Sequence, residues 1–574
     1  MEKENIKIEN LEKIETIPLI KDFHLPEEST VFLKKFMNKD IFDKLKNVKT
    51  SLGGHISHII YAGMKVDNKE TVGIYATDGE AYTKFQSLFQ PAISFLQDYD
   101  KYYSLFDMPD HRGIFDIPAD YKISTKLNSI RFKYARNLKN LPYLPYAKQH
   151  TRKFILHRIL NAIKNINENI GGSYYDMESV SNITKEENPE LFELENKFFD
   201  KEENFFNSFG LSKEHSGIFL SQDKKIACLI NFNDHLQIVA HDDSANFKET
   251  YQRIKDIHDE LAKELEFDYH PNYGYLTTCP SNIGMGLKIS AWLEIPNTAN
   301  QGNFLVCCKR WSLRFKKHSN ENRVLYEIIS KHKMNVSEVS FINSYIIKII
   351  SLINFEHNLL NNPNYIERQL DSSKMKEAVK HIYQNYFDKY KFVVTPNRKS
   401  FNSLFHLNTQ KNTYNLLISD KESYVVFKDF IYDYIAAIAN VRMSDVTKLE
   451  NRGILREMYT SYLSENEIDE FDNVEKENLK KTTMVIKRNT KNYNFTVAMS
   501  ESELKEMYLT FLELANKIQQ MFGGTVIEDK DIENLYKSDF KFISEELNQM
   551  LRGKGNLNLI IFRFKLCMRI LIRR

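Results

Sequence analysis

The feature that most constrains the fold of this 574-residue chain is an internal repeat. Five residues recur in the same order, each after the same spacing of 342 positions. The pairs are Asp78 and Asp420, Glu80 and Glu422, Tyr82 and Tyr424, Phe85 and Phe427, and Ile93 and Ile435. A spacing this long predicts a duplicated set of domains rather than a solenoid of short repeats.

Composition and charge exclude several classes of protein. Hydrophobic residues make up 42% of the chain, enough for sizeable cores. The 79 Lys and Arg residues nearly balance the 77 Asp and Glu residues, so nothing suggests a nucleic-acid partner. The five cysteines have neither CxxC nor zinc-site spacing, which predicts a reducing compartment and no metal site. No apolar run reaches the roughly 18–20 residues that span a bilayer, and residues 1–21 do not resemble a signal peptide. We therefore expect a cytoplasmic protein without membrane contact.

Hydrophobic periodicity divides the first copy into a helical part and a mixed part. Apolar residues between Phe85 and Ala92 repeat with helical spacing, while those between Phe247 and Leu265 mark a long amphipathic helix. Residues 287–295 alternate strictly between apolar and polar types, which predicts a strand with one core face and one polar face. The apolar run before Cys307 and Cys308 predicts that this cysteine pair lies in a strand core.

These patterns predict an α+β fold in which a small helical domain precedes a larger domain with an antiparallel sheet flanked by helices. The expected boundaries are a tail at 1–22, a helical domain at 23–105 and a larger domain at 110–350. A partial second copy follows, with a helical domain at 365–445 and a truncated larger domain at 475–574.

Three segments of the first copy resemble the phosphagen kinase (ATP:guanidino phosphotransferase) family. Residues 72–82, Val-Gly-Ile-Tyr-Ala-Thr-Asp-Gly-Glu-Ala-Tyr, resemble the family's substrate-specificity loop and the helix after it. Residues 231–237 resemble its Asn-Glu-Glu-Asp-His-Leu-Arg segment, and residues 274–287 resemble the signature around its reactive cysteine. The resemblance spans residues 29–350. It implies reversible transfer of a phosphoryl group between MgATP and a guanidino acceptor, with arginine as the default acceptor and ADP as the other product.

The resemblance implies that the acceptor is bound by Thr71, Val72, Tyr75 and Cys279. It places Cys279 in the catalytic group as well, together with Asn233 and Glu321. Asn233 stands where the family has a key glutamate, and an asparagine neither carries charge nor accepts a proton. Glu321 is the nearest candidate for a second, loop-borne glutamate of the family.

The resemblance places the ATP phosphates at Ser124, Lys126, Asn128, Gln237, Lys288 and Lys317. Three lysines and two amides there stand in for five arginines. Lysine keeps the positive charge but lacks the planar fork that binds two phosphate oxygens at once. Arg131, interpreted as part of a nearby insertion, is expected to compensate in part, and Leu220 replaces a nucleotide-side histidine.

These replacements predict that phosphoryl transfer is weak or lost, and two other functions remain open. One is a catalytically inactive protein with a scaffolding role and protein partners, in a cytoskeletal or ciliary assembly. The other is a regulatory binder of a nucleotide or guanidine without turnover. The second copy has no counterpart of the 231–237 or 274–287 segments, so we expect no catalytic site there. Because Asp78, Glu80 and Tyr82 recur in that copy, helix capping and packing are their expected roles. His235 is expected to be structural.

Overall fold

The computed structural model divides the chain into two units, residues 1–366 and 367–574. The residues that it describes are 19–21, 23–24, 32–65, 72–96, 113–115, 127–177, 197–198, 214–302, 304–320, 323–331, 334, 336–363, 365, 367–409, 411–439, 506, 509, 513, 560–564 and 568–572.

The first unit begins with short helices packed around a shared apolar core. Asn38 caps the second helix by accepting a hydrogen bond of 2.9 Å from the backbone N–H of Ile41. The predicted helical spacing after Phe85 is confirmed, since Leu88, Phe89 and Ala92 are all buried. The helices are α1 (Leu33–Phe36), α2 (Lys39–Leu45), α3 (Ile56–Lys65), α4 (Ala81–Lys84) and α5 (Gln86–Leu96).

The larger domain is built on an eight-stranded sheet in which every neighbouring pair is antiparallel, in the order β2-β3-β4-β5-β1-β8-β10-β9. Its strands are β1 (Leu127–Arg136), β2 (Gly172–Asp176), β3 (Gly217–Ser221), β4 (Ile226–Ile230), β5 (Leu236–Asp242), β8 (Leu287–Leu293), β9 (Leu313–Asn320) and β10 (Arg323–Ser330). A separate hairpin joins β6 (Tyr269–His270) to β7 (Gly274–Tyr275). The helices are α6 (Gln149–Ile170), α7 (Phe247–Glu264), α8 (Pro296–Ala299), α9 (Phe304–Arg310) and α10 (Glu338–Asn361). The predicted α+β fold is therefore confirmed.

Helices α7 and α10 cover one face of this sheet. The ring of Phe132 on β1 lies 5.9 Å from that of Phe247 on α7, and the Tyr345 hydroxyl of α10 donates to the Ile328 carbonyl of β10 at 2.6 Å. The opposite face is polar but also buried, because Lys288 and Ser290 are at most 4% exposed. The prediction of a half-buried strand at 287–295 was wrong in this respect, and β8 ends at Leu293.

Cys307 and Cys308 lie in helix α9, so the predicted strand core is wrong. Leu305 is 63% exposed, whereas Phe304 and Cys308, which are one helical turn apart, are buried. Periodicity alone does not separate a short apolar helix from a strand.

Among the described helices, α10 has the length and apolar composition that a membrane span requires, but 67% of that stretch is buried inside the domain. Buried isoleucines on several sides of α10 account for this composition, because the helix is packed into the core beside the sheet.

The second unit repeats the helical domain through the same hydrogen bonds. The Thr50 hydroxyl donates to Asp78 at 2.7 Å, and the Thr395 hydroxyl donates to Asp420 at 2.6 Å. The second oxygen of each aspartate accepts a backbone N–H of the following helix. The predicted capping role is thus confirmed for Asp78 and for its counterpart Asp420. The unit contains α11 (Glu377–Tyr390), α12 (Ser423–Val426), α13 (Lys428–Ala439), β11 (Phe405–Asn408), β12 (Thr413–Leu416), β13 (Ile560–Phe564) and β14 (Met568–Ile572).

The second copy of the helical domain is not all-helical. Between its capping pair Thr395 and Asp420 lies the β11–β12 hairpin, whereas helix α3 lies between Thr50 and Asp78 in the first copy. The truncated larger domain predicted at 475–574 lies almost entirely outside the described residues.

The buried carboxyl group of Asp78 predicts a pH dependence in the stability of the first helical domain. Burial raises the pKa of its carboxyl group to about 6, despite the hydrogen bonds from Thr50 and Thr77. The folded state therefore holds this proton more tightly than the unfolded state. The stability that protonated Asp78 contributes is present below about pH 4 and lost by about pH 6. Replacing Asp78 with Asn should remove up to about 3 kcal/mol of the change in the free energy of unfolding between about pH 4 and about pH 6.

Urea unfolding followed by tryptophan fluorescence measures this effect, because both tryptophans, Trp292 and Trp311, lie in the first unit. The control is Asp40→Asn, an exposed residue of the same domain. Equal pH dependence in the Asp78→Asn variant and the unmodified chain would contradict a raised pKa.

Candidate functional site

Tyr75 and Cys279 meet at the junction of the two domains of the first unit, where both pack against Ala62 of α3. The backbone N–H of Tyr75 donates to the Ile59 carbonyl at 3.0 Å, and that of Ala76 donates to the Thr278 carbonyl at 2.8 Å. Residues 72–76, which we call the Tyr75 segment, are therefore held between helix α3 and residues 276–286, which we call the Cys279 loop. Val72 is buried in the neighbouring helical core, which Cys279 also borders. Thr71 lies outside the described residues.

Helix α3 and the Tyr75 segment touch backbone to backbone. A Cβ atom at Gly63 would lie 2.3 Å from the carbonyl oxygen of Gly73, which is far inside van der Waals contact. Gly73 itself has a φ of 73°, which favours glycine. Two glycines thus determine how deeply the segment sits against α3.

The loop around Cys279 is ordered by its own polar groups. The Cys279 sulfur lies 3.1 Å from the Ser281 hydroxyl oxygen, and the Thr277 hydroxyl donates to the Cys279 carbonyl at 2.8 Å. A 3₁₀ turn, Pro280–Asn282, follows at once. Cys279 is partly exposed as a residue.

Asn233 lies beside this loop because the next residue, Asp234, binds the loop directly. The Asp234 carboxylate accepts a hydrogen bond of 2.7 Å from the backbone N–H of Thr278, which directly precedes Cys279. Asn233 is partly exposed there. Glu321, the other predicted carboxylate, lies outside the described residues.

His235 is structural, as predicted. Its Nδ1 atom accepts the backbone N–H of Leu138 at 3.0 Å, and its Nε2 atom lies 2.9 Å from the Pro142 carbonyl oxygen, to which it donates. Burial lowers the pKa of the imidazole to about 4, so the ring is neutral at ordinary pH. Both ring nitrogens are engaged in holding the end of β1.

Positive side chains lie together on the sheet face opposite α7 and α10. Lys133 on β1 is directly paired with Lys288 on β8, and Arg131 is paired with Ser290 on the same side of the strand. Directly paired residues of antiparallel strands point to the same face. Through Glu327, the register also brings Lys316 of β9 to this face. We call these four residues the cationic face: Arg131, Lys133, Lys288 and Lys316.

The strand register shows which of the predicted phosphate-binding residues reach this face. Gln237, paired with Ala135, does reach it, as does Lys288. Asn128 sits at a bulge in β1, and Lys317 is exposed and paired with Tyr326, one position out of phase with Lys316. Ser124 and Lys126 lie outside the described residues.

Sequence reasoning therefore missed Lys133 and Lys316, and it wrongly assigned Arg131 to an insertion. Arg131 and Lys133 are alternate residues of one strand, β1. The signal available was the Ser-x-Arg-x-Lys pattern at 129–133, which has the same spacing as the family's Ser-Thr-Arg-Val-Arg.

Arg131 is oriented by a buried ion pair. Its guanidinium lies 2.7 Å from a carboxylate oxygen of Glu327, and both side chains are at most 5% exposed. The same guanidinium donates to the Lys197 carbonyl at 3.3 Å and lies 4.9 Å from the centre of the Trp292 ring. Breaking such a buried pair leaves an uncompensated charge, so its geometry is held firmly.

The cationic face ends in an aromatic cluster. Trp292 and His241 lie 5.9 Å apart by ring centroid, and burial lowers the pKa of His241. Along β1, successive rows on this face are about 7 Å apart. They run from Gln237, nearest the Cys279 loop, through Lys288 to Trp292. This order suits a ligand with an anionic chain at one end and a planar ring at the other.

The described residues contain no group of three or more His, Cys, Asp and Glu side chains that could hold a metal ion.

Replacing Gly63 with Ala tests the contact between α3 and the Tyr75 segment. Alanine normally stabilises a helix by up to about 1 kcal/mol relative to glycine. Here the clash with Gly73 should reverse the sign, with a destabilisation of about 1–3 kcal/mol.

Urea unfolding measured by tryptophan fluorescence gives the free energy of unfolding. Gly302→Ala is the matched control, because a Cβ atom there would meet nothing within 4 Å. A Gly63→Ala chain as stable as the control would show that the two backbones are not in firm contact.

Comparisons with known protein families cover both parts of the first unit. The family model of the ATP:guanido phosphotransferase C-terminal catalytic domain matches residues 154–359. The model of the ATP:guanido phosphotransferase N-terminal domain matches residues 27–94.

Similar sequences include arginine kinases. That of Liolophura japonica is 30% identical over 331 residues, which cover 55% of this chain and 91% of that protein. Arginine kinase Oct f 2 of Amphioctopus fangsiao is 27% identical over 352 residues, 59% of this chain and 98% of that protein.

Two solved structures share the fold. The substrate-free duplicated taurocyamine kinase of Schistosoma mansoni has a TM-score of 0.52 at 19% identity, with 73% of this chain and 62% of that chain covered. A lombricine kinase has a TM-score of 0.50 at 22% identity, with 59% of this chain and 95% of that chain covered. The match to the duplicated enzyme thus spans under two thirds of its length.

Proposed function

The chain belongs to the ATP:guanido phosphotransferase family, and on that premise we propose that its first copy binds MgATP and a guanidino compound and transfers a phosphoryl group between them slowly. The observation that carries the proposal is the order of groups across the sheet. The cationic face lies between the Cys279 loop on one side and the Trp292 cluster on the other.

The nucleotide half of the proposal rests on charge. Lys133 and Lys288 lie directly opposite each other on β1 and β8 and are nearly buried. A polyphosphate can bind both ammonium groups through charge-assisted hydrogen bonds, and Arg131 adds a guanidinium further along the strand. Gln237 contributes a neutral hydrogen-bond donor where the family has an arginine. Trp292 offers a ring surface for the base.

The acceptor half rests on Tyr75 and Cys279. Their cluster at the domain junction lies in the segments that resemble the family's acceptor-binding loop and reactive-cysteine signature. Arginine is the acceptor we propose first, because curated relatives of this chain are arginine kinases.

The slow rate follows from Asn233. In the forward step a guanidino nitrogen forms a bond to the γ-phosphorus, the bond to the ADP oxygen breaks, and the nitrogen gives up a proton. A carboxylate can accept that proton and bind the guanidinium through its negative charge. An asparagine amide cannot accept the proton, and it binds a guanidinium only through neutral hydrogen bonds. Positioning along the cationic face remains as the main source of rate enhancement.

Replacing Lys288 with Met tests nucleotide binding, because it removes the charge and keeps most of the side-chain volume. Loss of a charge-assisted hydrogen bond should weaken MgATP binding about 10–100-fold. Isothermal titration calorimetry on the full chain measures the dissociation constant.

Lys317→Met is the matched control, since Lys317 is exposed and out of phase with the cationic face. Equal MgATP affinities in the two variants would contradict the assignment of the cationic face as the nucleotide site. If the unmodified chain gave no heat of binding at millimolar ATP, nucleotide binding itself would be contradicted.

Replacing Asn233 with Glu tests the cause of the slow rate. A restored carboxylate should raise the turnover number for arginine by about 10²-fold or more, with little change in MgATP affinity. A coupled assay of ADP release measures it.

Asn233→Gln has the same shape as the glutamate variant without the charge, and it should not gain activity. A gain shared by both variants would mean that side-chain length, not charge, limits the reaction. Fast turnover in the unmodified chain would show that Asn233 is tolerated.

A further inference from the structure

We propose that Asp234 is a positioning residue that ties the Cys279 loop, and through it the Tyr75 segment, to the end of strand β1. The inference rests on the proposed function only in treating Cys279 and Tyr75 as the acceptor side of the site.

The link begins at one carboxylate oxygen. Asp234 Oδ1 accepts two hydrogen bonds, from the backbone N–H of Thr278 at 2.7 Å and from the side-chain amide of Asn137 at 2.8 Å. Asp234 is 1% exposed and Asn137 is fully buried. Charge-assisted bonds of this kind are among the stronger ones in a protein, and burial strengthens them further.

Asn137 fixes the other end of the link. It follows β1 directly, and its amide oxygen accepts the backbone N–H of His235 at 2.9 Å. The Nδ1 atom of His235 in turn accepts a hydrogen bond from the backbone N–H of Leu138. The loop of residues 233–235 is thus locked to the strand that carries Arg131 and Lys133.

The Cys279 loop passes the constraint to the helical domain. The Thr278 carbonyl accepts the N–H of Ala76, next to Tyr75, and the Thr277 carbonyl accepts the Tyr82 hydroxyl at 2.7 Å. The Tyr75 segment and helix α4 are therefore both held by hydrogen bonds to the carbonyl groups of Thr277 and Thr278. The Asp234 carboxylate fixes Thr278 from the other side by accepting its backbone N–H.

A residue that only stabilised the fold would act differently from one that sets the thiol position. Glu356 provides the comparison within the same unit. It is also fully buried, and its carboxylate accepts the backbone N–H groups of Asn297 at 3.2 Å and Thr298 at 2.7 Å, at the start of α8. Its loss should lower stability without affecting the Cys279 loop.

The experiment measures the rate at which iodoacetamide modifies Cys279 in the full chain, with the peptide identified by mass spectrometry. Asp234→Ala should change this rate about ten-fold or more, because the loop loses a charge-assisted tether and opens locally. Asp234→Asn keeps the Oδ1 acceptor and should restore the rate to within about two-fold of the unmodified chain. Glu356→Ala should leave the rate unchanged.

Kinetics separate this inference from the proposed function. If the chain turns over, Asp234→Ala should raise the KM for arginine about ten-fold and leave the KM for MgATP within about two-fold, since the tether lies on the acceptor side. If the chain has no activity, the proposed function fails while the modification rates still test Asp234.

Two results overturn the inference: an unchanged Cys279 rate in a folded Asp234→Ala chain, or an equal change in Glu356→Ala. Should Asp234→Ala fail to fold, Asp234→Ser and Asn137→Ala each weaken the same link. Unchanged rates in both of these variants would overturn it as well.

Discussion

The pairing of β1 with β5 on one side and β8 on the other is the interaction on which the rest of the first unit depends. It is an unbroken antiparallel ladder on the β5 side, and it crosses a single bulge near Asn128 on the β8 side. Because the side chains of paired residues share a face, this register brings Arg131, Lys133 and Lys288 together. At the end of β1, the Asn137 side chain binds the Asp234 carboxylate, which also binds the Cys279 loop at Thr278. One register thus places both halves of the site.

The chemistry of the site reflects a compromise between charge and geometry. Arg131 keeps an arginine on this face, and Glu327 holds it in one orientation by a buried ion pair. Lys133 and Lys288 keep charge at the centre but lack the arginine fork. Asn233 removes charge on the acceptor side. In the function that we propose, these residues align substrates better than they move a proton, which is the physical basis of the slow transfer.

The two copies of the helical domain show which of its features are structural. The threonine–aspartate bond and the helix cap survive in both copies, at Thr50 and Asp78 and again at Thr395 and Asp420. Tyr82 differs from its counterpart, since its hydroxyl binds the Cys279 loop, whereas Tyr424 is 43% exposed. The capping bonds are local and persist in both copies. The tyrosine contact depends on a partner distant in the chain.

The sequence by itself determined the duplicated α+β architecture, the helix caps and the identity of the Cys279 signature, because these follow from periodicity and contiguous motifs. It did not determine which cations share the sheet face opposite α7 and α10. A shift of one residue turns a strand side chain to the opposite face, so the choice between Lys316 and Lys317 depended on pairing with Glu327 and Tyr326. Only the tertiary structure decided these positions, because strand register depends on contacts between segments more than 100 residues apart, such as the pairing of Lys133 with Lys288.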